Sequence, residues 1–141
     1  MYSRILIAFD GGELSRAGLQ QGVALAKELG SALHVVVIKG HLPRQAASLG
    51  EVKGEEERIE ARARQAAEQA RVLAGLQGVE LCVEARYGDI GEVSIAMVKE
   101  GHFDLLVVGQ SDQGRIVDRI MGNSVEAIAR LAPCSVLMAK W

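Results

Sequence analysis

Apolar residues run along this chain in short continuous blocks, and between them lie stretches with helical spacing. Ile5 to Phe9 is the first block, of the kind a strand covered on both faces requires. Asp10-Gly11-Gly12 breaks it. Leu14, Ala17, Gly18, Gly22, Leu25 and Leu29 then recur at a helical period that stops at Gly30. Leu33 to Ile38, rich in Val, predicts a second strand. Lys39 to Lys53 shows no period and contains Gly, Pro and Ser, so it is expected to be a long loop. Glu55 to Gln77 predicts the longest helix, with Ile59, Ala63, Ala66, Ala70 and Leu73 as its apolar stripe. Val79 to Ala85 predicts a third strand, Ile90 to Glu100 a helix, and Leu105 to Val108 a fourth strand. A last helix is predicted over Ser124 to Leu131, stopped by Pro133, and a fifth strand over Ser135 to Ala139.

Strictly alternating strands and helices imply an α/β fold, a single doubly wound parallel sheet of five strands with helices on both faces, Rossmann-like. In such sheets the ligand crevice lies where the winding reverses, at the carboxyl ends of the strands. If the chain starts mid-sheet and reverses after the third strand, the first and fourth strands are neighbours at that reversal. Their carboxyl ends carry Asp10 and Gly109. In the same arrangement the third and fifth strands form opposite edges. Cys82 and Cys134 are then too far apart for a disulfide.

The last third of the chain carries the candidate chemistry. The fourth strand stops at Gly109, and Gly122-Asn123-Ser124 directly precedes the last helix. Glycine admits close backbone approach, and Asn and Ser cap helix N-termini, where free N–H groups attract anions. These are the parts of a phosphate cradle. Each part also has a plainer use: Asp10 suits a helix cap, the glycines suit turns, and Asn123 and Ser124 suit N-caps.

Composition narrows the classes. At 141 residues the chain is expected to form one domain, residues 1–141, with a real core. A net charge of −2 gives no reason to expect nucleic acid or a membrane surface as partner. No apolar run reaches the roughly 18 residues of a membrane span. The first ten residues read as a strand, not a signal peptide, so a cytoplasmic location is expected. Neither cysteine lies in a Cys-x-x-Cys pair, and His34, His41 and His102 are scattered, so no metal site is expected.

The whole length resembles the universal stress proteins of the bacterial and archaeal UspA type. Ile5-Leu6-Ile7-Ala8-Phe9-Asp10-Gly11 resembles that family's first strand and acidic turn. Leu105-Leu106-Val107-Val108-Gly109 and Ala132-Pro133-Cys134-Ser135-Val136-Leu137 resemble its fourth and fifth strands. The resemblance implies sheet order 3-2-1-4-5, frequent homodimers, and, in many members, ATP bound through a G-x-x-G-(nine residues)-G-[ST] motif. Carried over, Asp10 with Gly11 would serve the adenine or ribose side, and the Ile38 backbone would contact adenine. Gly109, Gln110 and Asp112, with Gly122, Asn123 and Ser124, would face the phosphates.

The motif departs from the family at two positions. Asp112 stands in place of the second glycine and Asn123 in place of Ser or Thr; Gly114 lies two residues late. A carboxylate about 5 Å from a phosphate repels it by roughly 3 kcal/mol at an effective dielectric of 20. That is on the order of a hundredfold in affinity. Arg115 or Arg119 would offset the charge, and Mg²⁺ would bridge it if ATP is bound.

Two functions follow. One is a homodimeric, adenine-nucleotide-binding (ATP or AMP) stress-response regulator. The other is a dimeric protein-interaction module that has lost nucleotide through Asp112 and Asn123. In either, dimerisation is expected along the edge strand Ser135 to Ala139, with an unidentified protein as further partner. An enzyme is the third class. Asp10-Gly11-Gly12-Glu13-Leu14-Ser15 faintly resembles the S-G-G-x-D-S loop of ATP pyrophosphatases but differs at both chemical positions. No activated nucleophile or base is apparent, so at most weak ATP hydrolysis is expected.

Overall fold

The computed structural model describes residues 1–41, 49–109 and 124–140. Five strands form one parallel sheet: β1 (Arg4–Phe9), β2 (Ala32–Ile38), β3 (Cys82–Arg86), β4 (Leu105–Gly109) and β5 (Ser135–Ala139). Their spatial order is β3-β2-β1-β4-β5, so the winding reverses between β1 and β4, as the resemblance implies. Cys82 and Cys134 are both free thiols and belong to opposite edges of the sheet.

Among the described residues four helices cover the sheet: α1 (Arg16–Leu29), α2 (Leu49–Leu76), α3 (Ile90–Gly101) and α4 (Ser124–Leu131). The strand period of two divides the sheet's apolar residues between two faces. Ile5, Ile7, Phe9, Val35, Val37 and Val107 meet Leu19, Val23 and Ala26 of α1 and the alanines of α2. Leu6, Ala8, Val36, Leu106 and Val108 meet Val93, Met97 and Val98 of α3 and Ile128 of α4. β1 and β4 are buried on both faces, which explains their uninterrupted apolar runs.

Two boundaries differ from expectation. Residues 49–53 were expected in a loop but form the first turns of α2. Gly50 and Gly54 interrupt the period there, and Glu51 in the first turn suits the positive end of the helix dipole. β3 was expected from Val79 but begins at Cys82. Gly78 has φ +72°, and the Val79 N–H donates to the Ala74 carbonyl at 2.8 Å. Those residues therefore close the end of α2 before the strand can pair.

The amino ends of β1 and β4 are clamped by Asp104. Its carboxylate accepts the N–H groups of Ser3 at 2.9 Å and Arg4 at 3.0 Å. Burial acts to raise its pKa, yet these backbone donors hold the carboxyl below its usual range. Arg4 donates from Nε to the Gly101 carbonyl at 2.9 Å and lies over the Phe103 ring, 4.9 Å from its centroid.

Candidate functional site

Because the winding reverses between β1 and β4, the chain leaves these two strands side by side. After β1 it turns through Asp10, Gly11 and Gly12. Asp10 Oδ1 accepts the Gly12 N–H at 2.8 Å and also the Ser15 hydroxyl. The Gly12 carbonyl lies 3.0 Å from that hydroxyl and shares its proton. Ser15 is the N-cap residue of α1, but its side chain makes no capping bond, since the hydroxyl is turned back to Asp10. Gly11 has φ +84°, and a Cβ on it would lie 3.2 Å from Ala66 Cβ of α2. Glycine there serves both the left-handed turn and the close approach of the helix.

Gly109 ends β4 against this turn. A Cβ on Gly109 would lie 2.8 Å from the Ser15 carbonyl oxygen and 3.1 Å from the Gly18 nitrogen. The carboxyl end of β4 and the start of α1 are therefore in direct backbone contact; the loop that follows Gly109 lies outside the described residues. Gly109 is needed here for the docking of α1, whatever else it does. Gly22, one turn after Gly18, repeats the device lower down, where a Cβ would run into Ile7.

Ile38 lies at the carboxyl end of β2, paired with Arg86 of β3 and half-buried against the second core. Ser124 opens α4 at the predicted position. Gln110, Asp112, Gly114, Arg115, Gly122 and Asn123 fall outside the described residues, as does Arg119. Of the predicted site residues that are described, Asp10, Gly11, Ile38 and Gly109 lie at or just past the carboxyl ends of β1, β2 and β4.

Sequence reasoning passed over one cluster close by. Lys39 directly follows Ile38, and its ammonium lies 2.8 Å from Glu60 Oε1 of α2. The Tyr87 hydroxyl donates to the same oxygen at 2.9 Å. The ammonium also sits 4.1 Å from the centre of the Tyr87 ring. Hydrogen bonds from Lys39 and then Tyr87 hold the Glu60 carboxyl below its usual range. Desolvation, and then the bond to Glu60, push the Tyr87 phenol up. The signal available in sequence was a lysine where an apolar strand stops, and an acid beside the helix stripe residue Ile59.

Two of the surface grooves among the described residues lie elsewhere. One, of about 580 Å³, runs between the end of α1 and the amino ends of β2 and β3, past Lys27, His34 and Cys82. The other, of about 360 Å³, follows charged residues of α2 from Lys53 to Arg64. The first is at the wrong end of the strands for a doubly wound sheet. Among the described residues no His, Cys, Asp or Glu cluster could hold a metal ion, and no helix is long and apolar enough to cross a membrane.

The architecture is shared with solved proteins. A universal stress protein in complex with cAMP superposes with a TM-score of 0.76 at 19% identity, over 98% of this chain and 97% of that one. A universal stress protein family protein from Arabidopsis thaliana with AMP bound gives 0.68 at 16% identity, over 98% and 91%. The universal stress protein from Archaeoglobus fulgidus in complex with dAMP gives 0.67 at 18% identity, over 99% and 98%. At these identities the likeness establishes the fold. No curated protein matches the chain by sequence. The sequence model of the Universal stress protein family matches residues 1–140, and the chain belongs to that family.

Proposed function

We propose that this chain binds an adenine nucleotide where β1 meets β4 and acts as a homodimeric stress-response regulator. One observation carries the reading: the Asp10–Ser15 turn abuts Gly109 at the reversal of the sheet. That is where doubly wound folds take their ligands. The ligands named for three relatives support it, since cAMP, AMP and dAMP all join adenine to a single phosphate.

In this reading Asp10 and Gly11 face the adenosine and the Ile38 main chain meets the base. Gly109, Gln110, Asp112, Gly114, Gly122, Asn123 and Ser124 line the phosphate side, with Arg115 compensating Asp112. The acid at position 112 sets the preference. Each added phosphate brings more negative charge toward it, so AMP is favoured over ATP, and ATP requires Mg²⁺. Bound nucleotide stabilises one arrangement of the crevice loops and so biases what the dimer recognises. The residues 1–141 act as one domain in this role. The dimer forms along β5, the edge of the sheet, where Val136 and Leu137 are half-buried and Met138 is 42% exposed.

A second reading, a dimeric interaction module without nucleotide, draws on a specific observation. Asp10 already accepts bonds inside its own turn, and Gly109 is already required by α1. Both residues thus have structural work without a ligand. Native mass spectrometry of the chain purified from cells separates the two. A co-purifying adenosine monophosphate supports the first reading. A chain that carries no nucleotide and gains none on incubation with AMP supports the second.

A further inference from the structure

The exit of β2 is fixed more elaborately than a loop start needs. The Lys39 N–H donates to the Arg86 carbonyl at 2.9 Å, extending the β2–β3 ladder past the strand. Gly40, at φ +76°, then accepts the Gly88 N–H at 2.9 Å and forms an antiparallel bridge with that residue. Above this backbone the Lys39 side chain is only 11% exposed, although a lysine at a strand end reaches water easily. Holding an ammonium there requires a partner. Glu60 from α2 supplies it, while Tyr87 bonds the same carboxylate oxygen and places its ring against the ammonium.

Three separate segments, the ends of β2 and β3 and the middle of α2, are thus tied through one carboxylate oxygen and one ring. The residue they immobilise is the neighbour of Ile38. A main-chain reader of a nucleobase depends on placement, because hydrogen bonds need donor and acceptor within about 2.7–3.2 Å and near alignment. Adenine presents an acceptor at N1 beside a donor at N6. Guanine presents the reverse, a donor at N1 beside an acceptor at O6. A backbone segment held still discriminates between them; one free to shift accommodates either.

We infer that Lys39, Glu60 and Tyr87 form a positioning cluster that holds the Ile38 main chain in register for adenine and so sets base specificity. The assignment rests on the nucleotide reading above. None of the three touches the base; they act through the β2 exit.

The test is calorimetric titration of the full chain with AMP and with GMP, alongside thermal melting. Lys39→Met keeps the stem and removes the ammonium, and should cut the AMP-over-GMP preference roughly tenfold, mainly by weakening AMP. Tyr87→Phe keeps the ring and removes one hydrogen bond, and should cut it about threefold. Lys39→Arg restores the cation and should recover most of the preference. Melting shifts with the preference intact in Lys39→Met and Tyr87→Phe would mean a purely structural latch and overturn the assignment. Should Lys39→Met fail to fold, Tyr87→Phe decides alone. If the unsubstituted chain binds neither nucleotide, the nucleotide reading falls and the assignment with it. If it binds AMP and the variants discriminate as well as it does, only the assignment falls.

Discussion

A Cβ placed on Gly18 would stand 2.8 Å from the Gly109 backbone nitrogen and 3.1 Å from the Val108 carbonyl carbon. The first turn of α1 therefore rests on the end of β4 backbone to backbone. This contact aligns the turn after β1 with the end of β4.

Gly18→Ala and Gly109→Ala should each destabilise the chain by about 1–3 kcal/mol, because a methyl group there meets backbone that cannot rotate away. The normal gain of alanine over glycine inside a helix, roughly 1 kcal/mol, should not appear at Gly18. Gly22→Ala should also destabilise, since its added methyl would run into Cδ1 and lie 2.6 Å from Cγ1 of Ile7, a β-branched side chain fully buried in the core. Urea unfolding of the three variants checks these losses.

Asp104 should make stability fall in acid. Its folded-state pKa lies below the unfolded value near 3.9, so its contribution is present above about pH 4 and is lost as pH falls through the folded value. Asp104→Asn should therefore melt lower than the parent chain at pH 7, with the difference closing below about pH 3. A gap that stays constant from pH 7 to pH 2 would show that the clamp of Ser3 and Arg4 does not depend on the charge.

His102 ends α3 in the left-handed region, at φ +53° and ψ +45°, with its N–H bonded to the Val98 carbonyl. An L side chain there costs roughly 1–2 kcal/mol, and glycine escapes that cost while giving up unfolded-state restriction. His102→Gly should raise stability by about 0.5–1 kcal/mol in the same urea assay.

If the chain dimerises along β5 as proposed, a charge on that edge should break the dimer. Val136→Glu or Leu137→Glu would place a carboxylate among the groups expected to meet a second β5. Analytical ultracentrifugation should find the parent chain as a dimer and both variants as monomers with unchanged circular dichroism. Dimers persisting in both variants would place the interface elsewhere.

Most of the fold was legible because its signals are local. The apolar runs of β1 and β4 announced strands buried on both faces, and Gly30, at φ +65°, ends α1 where the period stops. The start of α2 was hidden because Gly50 and Gly54 lie in its first turns and break the stripe that begins at Ile59. That β1 and β4 end side by side followed from topology alone. Why position 109 must be glycine did not, because the reason is Ser15 and Gly18 of a distant helix. The Lys39 cluster was illegible for the same reason. Its carboxylate lies 21 residues along, and its tyrosine a further 27 beyond that.

The central claim is that the crevice between β1 and β4 takes an adenine nucleotide, and thermal melting of the full chain with rising AMP tests it most directly. A ligand that binds only the folded state at about a hundred times its Kd adds about 2.7 kcal/mol. For a chain of this size that is a rise of about 5–10 °C. The account predicts such a rise with AMP, a smaller one with ATP unless Mg²⁺ is added, and little with GMP. A melting temperature unmoved by millimolar AMP would contradict it and leave the family's fold here as a scaffold for protein contacts alone.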